Sequence, residues 1–213
     1  MLKMNKKDIG EIFEILKNKY KVESLIELQY KNPYTLLVAV ILSAQATDAG
    51  VNKATKDLFN LVDTPEKMLQ LGEDELKKYI KSINYYNTKA RHIIQMSQQL
   101  IENFNSQVPN NFDDMLTLSG VGRKTANVVL NILYDIPRVG VDTHVFRVTN
   151  RLGIVKADNV LETEKQLLKK VPKEYLRYIN HYFVLFGRYE CKAIKPKCEE
   201  CELRGYCKWK HFS

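Results

Sequence analysis

Apolar side chains recur at helical spacing along almost the whole chain. The first such segment repeats them three and four positions apart, at Ile9, Ile12, Phe13 and Leu16. No series of alternating apolar and polar positions, the pattern typical of strands, stands beside these segments. The pattern therefore predicts an all-α fold of about ten helices.

Local residue chemistry predicts where several of these helices begin and end. Asn32-Pro33 and Thr64-Pro65 are typical of an N-cap followed by a first-turn proline, whose missing N–H costs nothing there. Glycine- and proline-containing turns separate the further predicted helices. These are Thr88 to Phe104, Phe112 to Leu118, Arg123 to Leu133, Thr143 to Arg151, Asn159 to Lys169 and Lys173 to Phe186.

Composition narrows the class of protein. The 213 residues are 45% hydrophobic and 27% charged, which excludes a disordered or fibrous chain. The longest apolar run, Leu36 to Leu42, is far shorter than the roughly 20 residues that cross a membrane. No apolar segment follows the basic N-terminus, so we expect a cytoplasmic protein, nucleoid-associated if it is bacterial. The 33 basic residues outnumber 25 acidic ones, which favours a polyanionic partner, although a merely basic surface has the same composition.

The segment Leu118 to Asn127 predicts a helix, a tight hairpin and a second helix. Gly120 and Gly122 allow the backbone to approach a ligand closely, and the N–H groups that open the second helix form an anion site. A phosphate fits such a hairpin. A glycine turn that merely joins two packed helices gives the same pattern.

Two residues near helix starts are candidates for catalysis. Lys124 falls in the first turn of the second hairpin helix, where the helix dipole disfavours an ammonium and favours a nucleophilic amine. A lone lysine is more often a phosphate-pairing or solvated charge. Its candidate partner, Asp142, opens the helix Thr143 to Arg151 and would serve equally as a simple N-cap.

All four cysteines lie within seventeen residues, in the spacing C-x6-C-x2-C-x5-C. Such clustering in a reducing compartment indicates a metal centre rather than disulfides. Four thiolates bind either zinc or an iron–sulfur cluster, and the single close pair leaves both open. The candidate ligands are Cys191, Cys198, Cys201 and Cys207.

Together these motifs resemble those of endonuclease III, the helix-hairpin-helix DNA glycosylase and apurinic/apyrimidinic lyase family of base excision repair. The resemblance covers nearly the whole chain and rests on Leu42 to Asp48, Gly120 to Leu130, Val141 to His144 and the cysteine spacing. It implies a bifunctional enzyme that removes oxidised or ring-damaged pyrimidines from duplex DNA. It also implies a four-iron four-sulfur (4Fe–4S) cluster held by the four cysteines.

The resemblance places Lys124 at the family's Schiff-base lysine and Asp142 at its catalytic aspartate. Related adenine glycosylases carry serine at the lysine position, so this chain resembles the bifunctional branch. The imine formed by the lysine allows β-elimination, which cuts the strand 3′ to the abasic site. A monofunctional glycosylase and a non-catalytic DNA-binding module remain the alternatives, and Lys124 argues against both.

The resemblance also implies DNA contacts. Gln45 matches the family's polar wedge, which fills the gap left by a flipped nucleotide. Asn84-Tyr85 replaces the usual Gly-Leu of the second wedge, so Tyr85 is either a stacking wedge or a surface aromatic. Ser119 replaces a frequent proline, which could loosen the hairpin. The remaining expected contacts are Gly120, Val121, Gly122, Arg123 and His144, with Lys192, Lys195 and Lys197 of the first cysteine loop. His144 would serve equally as a structural histidine. The weaker candidates, more often solvated charges, are Lys53, Arg147, Arg151 and Arg188.

The expected architecture has two all-α domains. Residues 24–136 form a six-helix bundle with the hairpin, and residues 1–23 with 137–213 form the iron–sulfur domain. By resemblance the catalytic cleft lies between them. We expect a monomer that acts on duplex DNA.

Overall fold

The computed structural model describes residues 4–21 and 25–209, and in those ranges the chain is entirely helical apart from turns and loops. The predicted all-α fold is confirmed. No helix in the described ranges is long and apolar enough to span a membrane. The helices there are α1 (Lys6–Lys19), α2 (Pro33–Ser43), α3 (Asp48–Thr55), α4 (Leu58–Leu61), α5 (Pro65–Leu71), α6 (Glu73–Ile80), α7 (Tyr86–Phe104), α8 (Phe112–Thr117), α9 (Arg123–Tyr134), α10 (Thr143–Leu152), α11 (Val160–Lys170), α12 (Lys173–Leu176) and α13 (Ile179–Tyr189).

The chain divides into two compact units. One, the hairpin unit, is Ile26–Tyr134, and the other, the cysteine unit, combines Met1–Leu25 with Asp135–Ser213. The predicted boundary residue Ser24 lies outside the described residues. That the two units are the functional domains of the protein, with the stated bounds, stays a prediction.

The hairpin unit is built around α2. Every side chain from Tyr34 to Leu42 is buried, which explains why this stretch is apolar without the period of a surface helix. Helices α3, α7 and α9 pack on α2, and α5 and α6 pack on α7. The unit holds eight helices where about six were expected, because it includes short elements such as α4 that leave little periodicity in the sequence.

The core of the cysteine unit forms where α1 and α10 pack on α13. The ring of Phe13 stacks on Tyr175 with centroids 4.7 Å apart and lies 5.4 Å from the ring of Phe183. The helical periodicity of α1 thus supplies a buried face to this core.

The capping signals mark true helix starts. The side chains of Asn32 and Thr64 accept hydrogen bonds from the N–H groups of Thr35 and Lys67, and a proline follows each cap.

One predicted helix is wrong. The expected single helix Lys173 to Phe186 is two helices, because α12 ends after Leu176 and α13 starts at Ile179. Between them, the Arg177 guanidinium pairs with Asp135 at 2.9 Å and covers the Tyr178 ring at 5.6 Å. Arg177 and Tyr178 both keep helical φ and ψ, and the Tyr178 N–H donates to the carbonyl of Tyr175 at 3.0 Å, so the break is one tightened turn that apolar periodicity does not register. Such breaks and the shortest helices account for thirteen described helices where about ten were predicted.

Candidate active site and metal centre

The hairpin between α8 and α9 is shaped by one glycine. Gly120 has φ +78°, a left-handed conformation that L side chains rarely adopt. A Cβ at this position would lie 2.9 Å from the Cβ of His92 in α7. Leu118 and Val121 are buried, and the Val121 N–H donates to the carbonyl of Leu118 at 3.1 Å. The turn therefore fits tightly against α7.

Ser119 strengthens this hairpin. Its backbone N–H donates to Gln99 Oε1 at 2.7 Å, and its hydroxyl donates to Gln95 Oε1 at 2.8 Å. Gln99 in turn donates to the carbonyl of Thr117 at 3.0 Å. A proline at this position would lack both donors, so the departure from the family pattern adds hydrogen bonds that the turn would otherwise lack.

The second half of the hairpin faces solvent. Gly122 is exposed, and its carbonyl accepts from Ala126 N–H at 2.9 Å, which makes Gly122 the N-cap of α9. No atom lies within 4 Å of a Cβ built on Gly122, and its φ is not in the left-handed region. Arg123 and Lys124 follow in the first turn, both exposed, with the Arg123 guanidinium 4.8 Å from the ring centroid of Phe112. This geometry leaves room for a ligand at the start of α9.

Asp142 begins α10 in the cysteine unit. Its Oδ1 accepts from the N–H groups of His144 and Val145, each at 2.9 Å, so the carboxylate is a true N-cap. The cap fixes the orientation of a half-buried carboxylate at the helix start. Lys124 and Asp142 thus lie in different units, each in or directly before the first turn of a helix.

His144 is half-buried next to this cap. Its Nδ1 lies 3.1 Å from Arg147 Nη2, and burial is the main cause that lowers the pKa of the imidazole, with the neighbouring Asp142 opposing it. The Arg147 guanidinium also lowers this pKa, whereas a hydrogen bond with the backbone of Gly187 raises it. The DNA contact expected of His144 stays a prediction.

The two predicted wedge residues lie in the hairpin unit, and both are exposed. Gln45 has φ +55° and Tyr85 has φ +59°, unusual values for residues other than glycine. The Tyr85 side chain is 66% exposed, which is high for an aromatic ring. Asn84 Nδ2 donates to the carbonyl of Gln45 at 2.8 Å and so joins the two loops.

The four cysteines line one cavity of the cysteine unit. Leu152, Phe186, Pro196 and Trp209 contribute apolar walls to it. None of the four cysteines forms a disulfide, and burial raises the pKa of the thiols of Cys201 and Cys207. A cationic centre would offset that cost and hold the sulfurs as thiolates.

The donor chemistry of this cavity suits both metal centres that the spacing leaves open. Zinc takes four thiolates around one ion, and an iron–sulfur cluster takes one thiolate at each iron. All four cysteines line the same cavity, so they can serve one centre. The residues present therefore fit an iron–sulfur cluster with four cysteine ligands.

Two arginines of α10 hold the first cysteine loop. Arg147 Nε donates to the carbonyl of Cys191 at 3.0 Å, and Arg151 donates to the carbonyls of Lys192 and Ala193 at 2.7 and 3.2 Å. These guanidiniums, weaker candidates for phosphate contact, are committed to the loop. With its backbone held in this way, the loop exposes three lysines, Lys192, Lys195 and Lys197.

Sequence reasoning missed several residues that shape these sites. Gln95 and Gln99 support the hairpin, and Lys89, a buried lysine of α7, donates to the backbone before Gln45. A polar residue on a predicted helix gives no signal of such a contact, because helical charges and amides are commonly solvated.

Comparison with known proteins gives matches over nearly the whole chain. Residues 38–173 match the model of the HhH-GPD superfamily base excision DNA repair protein, and residues 191–207 match the iron-sulfur binding domain of endonuclease III. Endonuclease III of Rickettsia prowazekii is 53% identical over 202 residues, which are 94% of each chain. Endonuclease III of Escherichia coli is 47% identical over 184 residues, 86% of this chain and 87% of the relative.

Solved structures agree with these sequence matches. The structure of a trapped endonuclease III–DNA covalent intermediate, an estranged-adenine complex, superposes with a TM-score of 0.88 at 43% identity and covers 96% of each chain. A thermostable thymine-DNA glycosylase reaches a TM-score of 0.84 at 24% identity, which speaks for the fold alone.

Proposed function

The chain belongs to the endonuclease III family of HhH-GPD base excision DNA repair proteins, and from that premise we propose how its residues carry out the reaction. As a family member it is a DNA-binding DNA glycosylase with apurinic/apyrimidinic lyase activity, and it carries a 4Fe–4S cluster. Its substrates are oxidised or ring-damaged pyrimidines in duplex DNA, and abasic sites. The protein acts as a monomer. The observation that carries the proposal is a lysine in the first turn of α9, directly after the glycine hairpin.

Lys124 is the nucleophile. Its amine nitrogen bonds to the sugar C1′ of a nucleotide turned out of the duplex, and the glycosidic bond breaks with its electron pair leaving on the base, which takes up a proton. The nitrogen, now bonded to C1′, loses one proton to a general base, and the C1′–O4′ bond breaks as O4′ takes up a proton, which leaves an iminium between Lys124 and the open sugar. Loss of the C2′ proton then shifts electrons so that the 3′ phosphate oxygen leaves. Water finally hydrolyses the imine and frees the lysine.

Asp142 stabilises positive charge that develops on the sugar and assists these proton transfers. Its N-cap bonds support the assignment, because a carboxylate held by two backbone donors needs no reorganisation during the reaction.

The hairpin and the cysteine loop bind the DNA backbone. Gly120, Gly122 and Arg123 present backbone N–H groups and one guanidinium to a phosphate, and Val121 contacts the DNA from the turn that its own N–H closes on Leu118. His144 contacts the DNA backbone from α10. Gln45 and Tyr85 enter the duplex at the flipped nucleotide. The four cysteines hold the cluster, which keeps the lysines of the loop along the backbone: Lys192, Lys195 and Lys197.

Borohydride trapping on a duplex with one abasic site tests the nucleophile, since reduction captures an imine. Wild type should give a covalent protein–DNA band, and Lys124→Ala should give none while retaining DNA binding. Lys56→Ala, which removes another exposed lysine of the same unit, should trap like wild type.

Either failure has a distinct meaning. A band from Lys124→Ala would reassign the nucleophile to another amine. No band from wild type with intact binding would favour a monofunctional glycosylase or a non-catalytic DNA-binding module.

A further inference from the structure

We propose that Lys89 and Asn84 are positioning residues that join the Gln45 loop and the Tyr85 loop into one preformed wedge for opening the duplex. The inference rests on the proposed function, since it needs these two loops to enter DNA. It assigns roles to two residues for which the family resemblance gave none.

Lys89 lies where a lysine is rarely found. Only 6% of its surface is exposed, and its ammonium donates to the carbonyls of Leu42 and Ala44 at 2.8 and 2.5 Å. These carbonyls lie at the end of α2, where the last C=O groups have no N–H donor within the helix. A cation at a helix C-terminus is also favoured by the helix dipole. Lys89 therefore caps α2 and fixes the residue at which the chain leaves it.

Gln45 is the next residue along the chain. Its left-handed backbone, φ +55°, persists in a residue other than glycine only where the surroundings hold it. Lys89 holds the carbonyl of Ala44 directly before it, and Asn84 holds the carbonyl of Gln45 itself at 2.8 Å. Two side chains thus fix both peptide groups that flank the Gln45 side chain.

The same contacts hold Tyr85. Asn84 precedes it, and the carbonyl of Tyr85 accepts from the N–H of Lys89 at 3.0 Å in the first turn of α7. Tyr85 is therefore placed between two residues that both bond to the backbone around Gln45. A relative with glycine at position 84 lacks the amide that makes the direct bond between the loops.

A preformed wedge lowers the cost of opening duplex DNA, because its loops are ordered before binding. We call the contacts of Lys89 and Asn84 with the Gln45 loop the clamp. Loss of the clamp should slow cleavage where base pairs must be opened and should leave the rate unchanged where the site is already unpaired. A residue with a merely structural role would affect both situations equally.

Two readouts test the clamp. The first is fluorescence of 2-aminopurine placed next to a non-cleavable tetrahydrofuran abasic analogue, measured at saturating protein, which reports unstacking without chemistry. The second is the ratio of single-turnover cleavage rates at an abasic site in a duplex and in an unpaired bubble. Asn84→Ala, which loses one hydrogen bond, should reduce the unstacking signal and lower the rate ratio roughly two- to tenfold. Lys89→Met, which loses two, should lower both at least as far.

Matched controls separate the clamp from charge and stability. Lys81→Met removes an equal charge from an exposed position nearby, and Asn87→Ala removes an exposed amide from the first turn of α7. Both should leave signal and ratio unchanged. Lys89→Met uncovers buried carbonyls and could unfold, so its melting curve is measured first; Asn84 is exposed, and its variant tests the clamp independently.

The outcomes distinguish this inference from the proposed function. Wild type that unstacks the analogue but cuts neither substrate would overturn the lyase assignment and leave the clamp supported by the fluorescence of its variants. Normal unstacking and a normal rate ratio in folded Asn84→Ala and Lys89→Met would overturn the clamp. A wild type that fails to unstack the analogue would overturn it as well.

Discussion

Replacement of glycine by alanine at three positions separates the structural role of the hairpin from its DNA-binding role. Gly120 and Gly122 belong to the hairpin, and Gly72, between α5 and α6, is the control. Gly72 has φ +80° and nothing within 4 Å of a built Cβ, so alanine there adds backbone strain alone. Gly120 has φ +78° and the His92 Cβ at 2.9 Å, so alanine adds strain and overlap. Gly122 has neither constraint.

The expected stability changes follow from these differences. The positive φ of Gly120 costs an L-residue about 1–2 kcal/mol. Gly72, at φ +80° and ψ 163°, lies in a region that is essentially restricted to glycine, so Gly72→Ala should lose about 1–3 kcal/mol. Overpacking adds about 1–3 kcal/mol at Gly120, because the atom it meets is a Cβ close to the α7 backbone rather than a flexible side-chain end. Gly120→Ala should therefore lose about 2–5 kcal/mol. At Gly122 the lower entropy of the unfolded chain opposes a poorer N-cap, so the change should stay within about 1 kcal/mol.

DNA affinity should follow a different order. The space beside Gly122 is where a phosphate would meet the first-turn N–H groups of α9, and a methyl group there would hold the phosphate away. Loss of even one charge-assisted hydrogen bond weakens binding by about tenfold or more. Gly122→Ala should thus bind DNA at least about tenfold more weakly while folding normally, and Gly72→Ala should bind normally.

The assay combines urea unfolding with fluorescence anisotropy on a duplex that carries a tetrahydrofuran site, at one fixed salt concentration because phosphate contacts depend on salt. Wild-type affinity in Gly122→Ala would refute the hairpin as a phosphate site. A loss of less than about 2 kcal/mol in Gly120→Ala, which strain alone explains, would refute the tight contact with His92.

Further predictions concern the cap, the histidines and the cluster. Asp142→Asn keeps an N-cap acceptor, so its free energy of unfolding should match wild type while single-turnover cleavage slows by about 10²-fold or more. Asp142→Ala removes the cap as well and should lose about 0.5–2 kcal/mol of unfolding free energy. A fully active Asp142→Asn variant would contradict the catalytic role. Burial lowers the pKa of His144 and His181 below their usual 6.5. The stability that their neutral forms contribute is therefore fully present above about pH 6.5 and is lost as the pH falls toward the lowered pKa values. Urea unfolding across this pH range measures the loss, and His144→Gln should make the free energy of unfolding less dependent on pH. Oxidation and chelation of the iron should bleach the visible absorption and expose Lys192, Lys195 and Lys197 to trypsin, whereas equal cutting of both forms would show that the loop is ordered without the cluster.

The parts of the fold that the sequence predicts are those decided within a few residues. Asn32 and Thr64 each cap a helix through a side chain that reaches three residues ahead, and the sequence contains every atom of that interaction. Gly120 belongs to this group too, since a left-handed turn favours glycine whatever surrounds it. The break at Arg177 does not, because both residues between the two helices keep helical backbone angles and no capping residue marks the turn.

The candidate site shows the same division more sharply. The positions of Lys124 and Asp142 at helix starts follow from local capping and turn signals. At Ser119 the missing proline predicts a looser turn, whereas the N–H that proline lacks donates to Gln99, 20 residues away. A family pattern shows which residue is usual at a position, but it does not show which hydrogen bonds a different residue forms there.

Lys89 shows why the remaining part of the site needs coordinates. Its sequence context, an exposed-looking charge early in a long helix, predicts a solvated side chain. The carbonyls that it binds are 47 and 45 positions away, at the C-terminus of α2, and they need a partner only because α2 is buried. Helix starts are capped by their own residues, whereas this helix end is capped by a different element. For that reason the loop that carries Gln45 takes its shape from α7, and changes in α7 should alter how the enzyme opens DNA without touching its nucleophile.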